Sequence, residues 1–254
     1  MPCVMSQFNG LVKSVKTTTV KPAVARSRSP CARCSVRMSS FCGALNLGRG
    51  SLRQTHEVVR ARRTIHGAGD VTDDFVIICE GWTACSMRLS DGRRQILSFL
   101  IPGDPVSITS LFNGRQRFSV QSLTDVRYCM FSRKELQKEM IDKSRVFQEL
   151  VKICIAEKEQ ADQIIVSLGR QSAAARIARL ILLLMERLGT RGLVRDQSFE
   201  FPLRQQHIAD AMGLTTVHVS RVINMFRKEG LVDIAQRRIR ILSLKELQRV
   251  ADAK

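Results

Sequence analysis

The stretch FPLRQQHIADAMGLTTVHVSRVINMFRKEGLVDI, residues 201–234, leaves the chain little freedom in how it folds there. A helical pattern over Arg204 to Met212 meets Gly213-Leu214, and a second helix opens on Thr215-Thr216. Gly213 suits a tight connection, and a threonine at the second helix's start satisfies its free amides. Ile208, Ala209, Met212 and Leu214 are spaced to pack beneath Val219, Val222, Ile223 and Phe226. This is the helix-turn-helix pattern, whose second helix enters the major groove of DNA N-terminus first. After Gly230, LVDIAQRRIRILS reads as a small basic hairpin, a wing able to touch phosphate.

The charge agrees with a nucleic-acid partner. The chain carries a formal net charge of +18, and clustered Lys/Arg gain from releasing the counterions of phosphate. No acidic residue precedes Glu57, whereas nine Lys/Arg do, so much of the excess sits in the N-terminal tail. Residues 1–30, basic and Ser/Thr-rich, read as disordered. No run of 18 apolar residues occurs, so no membrane span is expected. Without a secretory h-region the expected location is cytoplasmic, with the cysteines reduced. No G-x-G-x-x-G, P-loop, H-E-x-x-H or G-x-S-x-G is found, so an enzyme is not expected.

Between tail and reader the grammar changes twice. Residues 31–132 hold three close cysteines and then short strand-like runs separated by turns. Asp91-Gly92 between SMRLS and RRQILSFL is a hairpin signal. These runs argue an antiparallel sandwich or barrel. Residues 133–169 are free of proline, and of glycine until Gly169, and read as one long helix. Phe147, Cys154, Ala161 and Leu168 repeat every seven positions, with Leu150 and Ile164 interleaved and Glu157 breaking the second set. Such a seam points to a partner helix in a homodimer; the alternative is packing on the chain's own β domain. Residues 170–254 complete the DNA-reading part.

SPCARCSVRMSSFC places Cys31, Cys34 and Cys42 together, one short of a tetrahedral set. Uncoordinated thiols, zinc ligation and a Cys31–Cys34 disulfide all remain open on this spacing. Cys79, Cys85 and Cys154 lie in apolar or periodic segments and read as small hydrophobes. His56, His66 and His207 form no ligand pattern.

In the order of its parts, the chain resembles the CRP/FNR family of bacterial transcription regulators, from about Cys31 to Leu247. The resemblance is carried by EGWTACSMRLSDGRRQILSFLIPGD, SLGRQSAAARIARL and IADAMGLTTVHVSRVINMFRKEGLV. It implies an α+β chain: a jelly-roll-like β-roll sensor, a long dimerisation helix and a winged helix-turn-helix. Where cyclic-nucleotide receptors grip ribose and phosphate, this chain has Ser107-Ile108-Thr109 and Arg117-Phe118. The ribose carboxylate is replaced by isoleucine, so cyclic-nucleotide binding is not expected. The FNR/FnrN/FnrL-type branch holds a [4Fe–4S] cluster on three N-terminal cysteines and a fourth in the β-roll. The resemblance implies the same ligands here, Cys31, Cys34, Cys42 and, within TDVRYCMFSRKEL, Cys129. It also implies oxygen sensing, a palindromic promoter site on double-stranded DNA, and RNA polymerase as a partner. In the recognition helix the matching DNA-binding positions are Thr215, Thr216, Val217, His218, Ser220 and Arg221. Val217 stands where the FNR branch has a base-reading glutamate, which alters the expected target sequence.

Overall fold

The structure, a computed structural model, describes residues 31, 34–45 and 52–253. The tail assigned to residues 1–30 lies outside the described residues.

Two antiparallel sheets face each other. Strands Gln54–Val59 (β1), Asp74–Glu80 (β3) and Val126–Ser132 (β7) form one, in the order β1-β7-β3. Thr64–His66 (β2), Thr83–Arg88 (β4), Arg94–Leu100 (β5) and Ser119–Ser122 (β6) form the other, in the order β2-β6-β4-β5. Strand alternation divides the apolar residues between faces. On β3, Val76 and Ile78 point between the sheets, where they meet Cys85, Leu100, Val120 and Tyr128. Phe75 and Ile77 point the other way, into a separate cluster with Phe41, Cys42, Cys129, Phe131 and Leu136. The hairpin expected at Asp91-Gly92 joins β4 to β5, with Asp91 accepting from the Arg93 amide at 2.9 Å and Gly92 at φ +85°.

The helical run expected over residues 133–169 is two helices, Arg133–Asp142 (α2) and Ser144–Arg170 (α3), separated at Lys143, which is extended (φ −132°, ψ 99°). Leu136 and Met140 of α2 and Val146 and Leu150 of α3 share one core. An unbroken helix turns about 100° per residue, so Val146, six positions past Met140, would face away from that core. The break re-registers it. The first turns of α3 therefore lie on the chain's own β domain, the alternative left open above. Farther along, Val151, Ile155, Ile165 and Val166 stay exposed, as does Phe147 from the predicted seam.

The rest of the chain packs on the opposite side of the sandwich. Ala173–Gly189 (α4) starts at Ser172, whose side chain accepts from the Ala175 amide. It continues through a small sheet of Ser198–Glu200 (β8), Val232–Ala235 (β9) and Arg238–Ile241 (β10), with helices Gln205–Met212 (α5), Thr216–Lys228 (α6) and Leu244–Asp252 (α7). Trp82, Ala84, Ile96, Phe99 and Ile101 of the β domain share one core with Ile177, Leu184, Ala211 and Phe226. The sandwich thus has two covers. The cysteine segment, α2 and the Ile108–Asn113 helix (α1) cover one outer face; the helix-turn-helix part covers the other.

Candidate nucleic-acid interface and thiol pocket

Local chemistry shapes the helix-turn-helix. Gly213 ends α5 in the left-handed conformation (φ 63°), and the Thr215 hydroxyl accepts from the His218 amide at 3.2 Å, starting α6. Val219, Val222, Ile223 and Phe226 are buried beneath α6. Its opposite side presents Val217, His218 and Arg221 to solvent, with Thr215 also exposed and Thr216 and Ser220 half-buried. An α-helix with a capped N-terminus and an arginine one turn in suits the major groove. The wing is the β9–β10 hairpin, turned by Gln236 and Arg237, both at positive φ; Arg237, Arg238 and Arg240 are exposed along it. His207 serves the fold: its Nδ1 accepts from the Arg204 amide at 3.2 Å. Burial, then the cations Arg94 and Arg204, hold its pKa down to about 4.

Polar contacts fix this helix-turn-helix part to the β domain. Arg94 of β5 donates to Asp210 of α5 through Nη2 at 2.6 Å and Nε at 2.9 Å, and Gln95 donates to the Ala211 carbonyl at 3.1 Å. Asp104, buried in the loop after β5, accepts from both Arg187 and Arg191 at the end of α4. Gly103 beside it has φ +96°, and a Cβ built there would lie 2.9 Å from the Ser40 Cβ and 3.1 Å from Arg191 Nε. The cysteine segment and the end of α4 meet at this glycine.

The second site is made of sulfur. On the outward face of β1-β7-β3, His56 pairs across from Cys129, which pairs across from Ile77; Cys79 lies two residues along β3 on the same face. Donor atoms of His56, Cys79 and Cys129 all lie within 4.8 Å of one another. From the covering segment, the Cys31 thiol lies 3.4 Å from His56 Nε2 and 3.2 Å from Gln54 Oε1, to which it donates. Cys129, fully buried, shares one cluster with Cys31 and Cys42, and Cys79 packs against it. The nearness of Cys31, Cys42 and Cys79, in that order, and then burial hold its proton on, while Cys129 favours the thiolate of Cys42. Cys34 is half-buried, and its thiol is raised by desolvation, with Cys79, Cys42 and Cys31 as its charged-state neighbours. None of these cysteines is in a disulfide. Of the four cysteines named from sequence, Cys31, Cys42 and Cys129 share one cluster, and two residues that sequence reading passed over lie beside Cys129. Cys79 had read as a small hydrophobe and His56 as patternless, because only the strand register carries them to Cys129.

Comparison with known proteins places both halves. Residues 56–143 match the cyclic nucleotide-binding domain family, and residues 175–250 the Crp-like helix-turn-helix domain family. The nitrogen fixation regulation protein FixK of Rhizobium meliloti is 31% identical over 176 residues, covering 69% of this chain and 77% of FixK. The chain belongs to the CRP/FNR family. The transcriptional activator protein FnrL of Cereibacter sphaeroides is 28% identical, over 84% of this chain and 83% of its own. The structure of FixK2 from Bradyrhizobium japonicum superposes with a TM-score of 0.72 at 26% identity, covering 80% of this chain and all of that one. This CRP/FNR protein is a DNA-binding transcription regulator of a dimeric type, not an enzyme. No described helix is long and apolar enough to cross a membrane.

A cleft of about 460 Å³ separates the β domain from α3 in this CRP/FNR fold, lined by Ser107, Thr109, Phe118, Glu157 and Arg187 among others. Ser107 and Thr109 hydrogen-bond each other at 3.1 Å, Ile108 is buried, and Arg117 faces solvent. Glu157, which broke the predicted seam, faces this cleft, where desolvation first and Asp104 second raise its carboxyl.

Proposed function

We propose that this chain is an oxygen- or redox-responsive regulator that holds a [4Fe–4S] cluster on Cys31, Cys34, Cys42 and Cys129. It acts in the cytoplasm as a homodimer on palindromic promoter sites, with RNA polymerase as its partner. The observation that carries this reading is the convergence of Cys31 and Cys42 on Cys129. Four thiols form a soft, all-sulfur donor set, the kind iron–sulfur centres take. Bound there, the cluster supplies a redox-active centre, which oxidants reach past the half-exposed Cys34.

The chain's own residues supply the coupling. Cys129 sits on β7 just before α2, and Cys42 follows Ser40, which abuts Gly103 and hence Arg191 of the reader. Residues 31–132 act as sensor, 133–169 as dimerisation helices and 170–254 as reader, with 1–30 a basic tail. Two copies of α6 address half-sites about one helical turn apart. Arg221 donates to a guanine edge and Val217 touches a thymine methyl. Thr215, Thr216, His218 and Ser220 contact the backbone around them.

Anaerobic purification followed by iron, labile-sulfide and visible-absorption analysis tests the reading. A brown protein carrying sulfide, bleached by air together with its DNA affinity, is expected; Cys34→Ala and Cys129→Ala should be colourless. A wild-type protein free of sulfide when purified without air would sink it.

A further inference from the structure

We infer that the thiol pocket also takes a single thiophilic divalent cation of the zinc class, through Cys31, His56, Cys79 and Cys129. The site is distinct from the cluster set: it omits Cys34 and Cys42 and adds an imidazole and a thiol. It stands whether or not a cluster binds.

Spacing carries the inference. A tetrahedral zinc ion with Zn–S bonds of about 2.3 Å sets its sulfurs about 3.8 Å apart. Here the donors of His56, Cys79 and Cys129 lie within 4.8 Å of one another, while Cys31 is 3.4 Å from the imidazole nitrogen and shares a buried cluster with Cys129. Three donors so close need only small adjustments to surround one ion, and Cys31, outside that trio, closes the set by a shift of its segment. Three of the four donors sit on neighbouring strands β1, β7 and β3, so backbone pairing holds them on one face. Three thiols and one imidazole are a donor set that closed, four-coordinate zinc sites use.

Binding replaces three thiol protons with bonds to the metal and moves no electrons. It also ties the cysteine segment, through Cys31, to three strands at once. Because Cys31 and Cys129 belong to both sets, ion and cluster exclude each other. Zinc would then hold the sensor in a form that iron and sulfide cannot enter.

The experiment uses the full chain, stripped of metal, reduced and titrated without air with cobalt(II) as a spectroscopic stand-in, then with zinc. Expected is one cobalt per chain, with intense thiolate-to-metal absorption and the strong visible bands of four-coordination, displaced by zinc. His56→Ala and Cys79→Ser should each weaken cobalt binding by at least the ~10–100-fold that loss of an outer-shell partner costs. Cys34→Ser and Cys42→Ser should retain it. A six-coordinate spectrum, dependence on Cys34, or indifference to both His56 and Cys79 overturns the inference. Zinc-edge X-ray absorption on the wild type avoids any variant that folds poorly: three sulfurs and one nitrogen are expected, and four sulfurs or none overturns it. The cluster reading fails separately, by a sulfide-free anaerobic protein, which leaves the cobalt result untouched.

Discussion

The two outer faces of the β sandwich carry covers of opposite construction. The helix-turn-helix part, the reader, covers one face, and its second helix is shaped by a single short stretch: a left-handed glycine, a threonine cap and an apolar stripe. The cysteine segment covers the other, and its pocket is assembled from Cys31, Cys42, His56, Cys79 and Cys129. The first kind of site survives wherever its own stretch folds. The second exists only while three strands keep register and the segment stays docked.

The sharpest way to break this comparison is at the junction both covers share. Asp104→Ala leaves the partly buried Arg187 and Arg191 without their shared carboxylate, at a cost that approaches the about 3–5 kcal/mol of breaking a buried pair. Urea unfolding should show that loss, and limited proteolysis should detect the reader separating from the sensor. Arg221→Ala acts on one side alone. It should weaken binding to the cognate site by about 1–3 kcal/mol and relax base preference at one position, with thiol chemistry unchanged; gel-shift titration against base variants reads this.

Acid probes the reader through His207. Its folded pKa of about 4 lies below its ordinary 6.5, so the unfolded chain binds the extra proton first. Stability contributed by the neutral ring should be full above about 6.5 and fall as pH drops toward 4, by about 1–2 kcal/mol after allowance for solvent screening. Thermal melts across that window measure it, and His207→Gln should flatten the dependence. Smallest is Thr215→Ala, which removes the α6 cap for about 1 kcal/mol. A loss confined to the reader's melting would keep the two covers energetically separate.

How much was legible follows the same division. The helix-turn-helix, the wing and the β4–β5 hairpin were readable because each is specified within a few residues. Cys129 was found through resemblance alone, since nothing in TDVRYCMFS marks it out. His56 and Cys79 were passed over because their meaning lies in cross-strand pairing, which no local spacing encodes. The break at Lys143 escaped for a related reason: propensity favours helix throughout, and only the shared demand of Met140 and Val146 for one core interrupts it. That Glu157, read as a break in the seam, shares a cleft with Asp104 and Arg187 could not be seen in advance, because they are distant in sequence.

Gly103 sets how closely the two covers approach. Any side chain there would act as a spacer, since even its first carbon would crowd Ser40 and Arg191. Without one, both covers meet on a single loop, in an interior packed so closely that one methylene is felt. A rearrangement of the cysteine segment that moves Ser40 therefore meets the loop whose Asp104 holds Arg187 and Arg191.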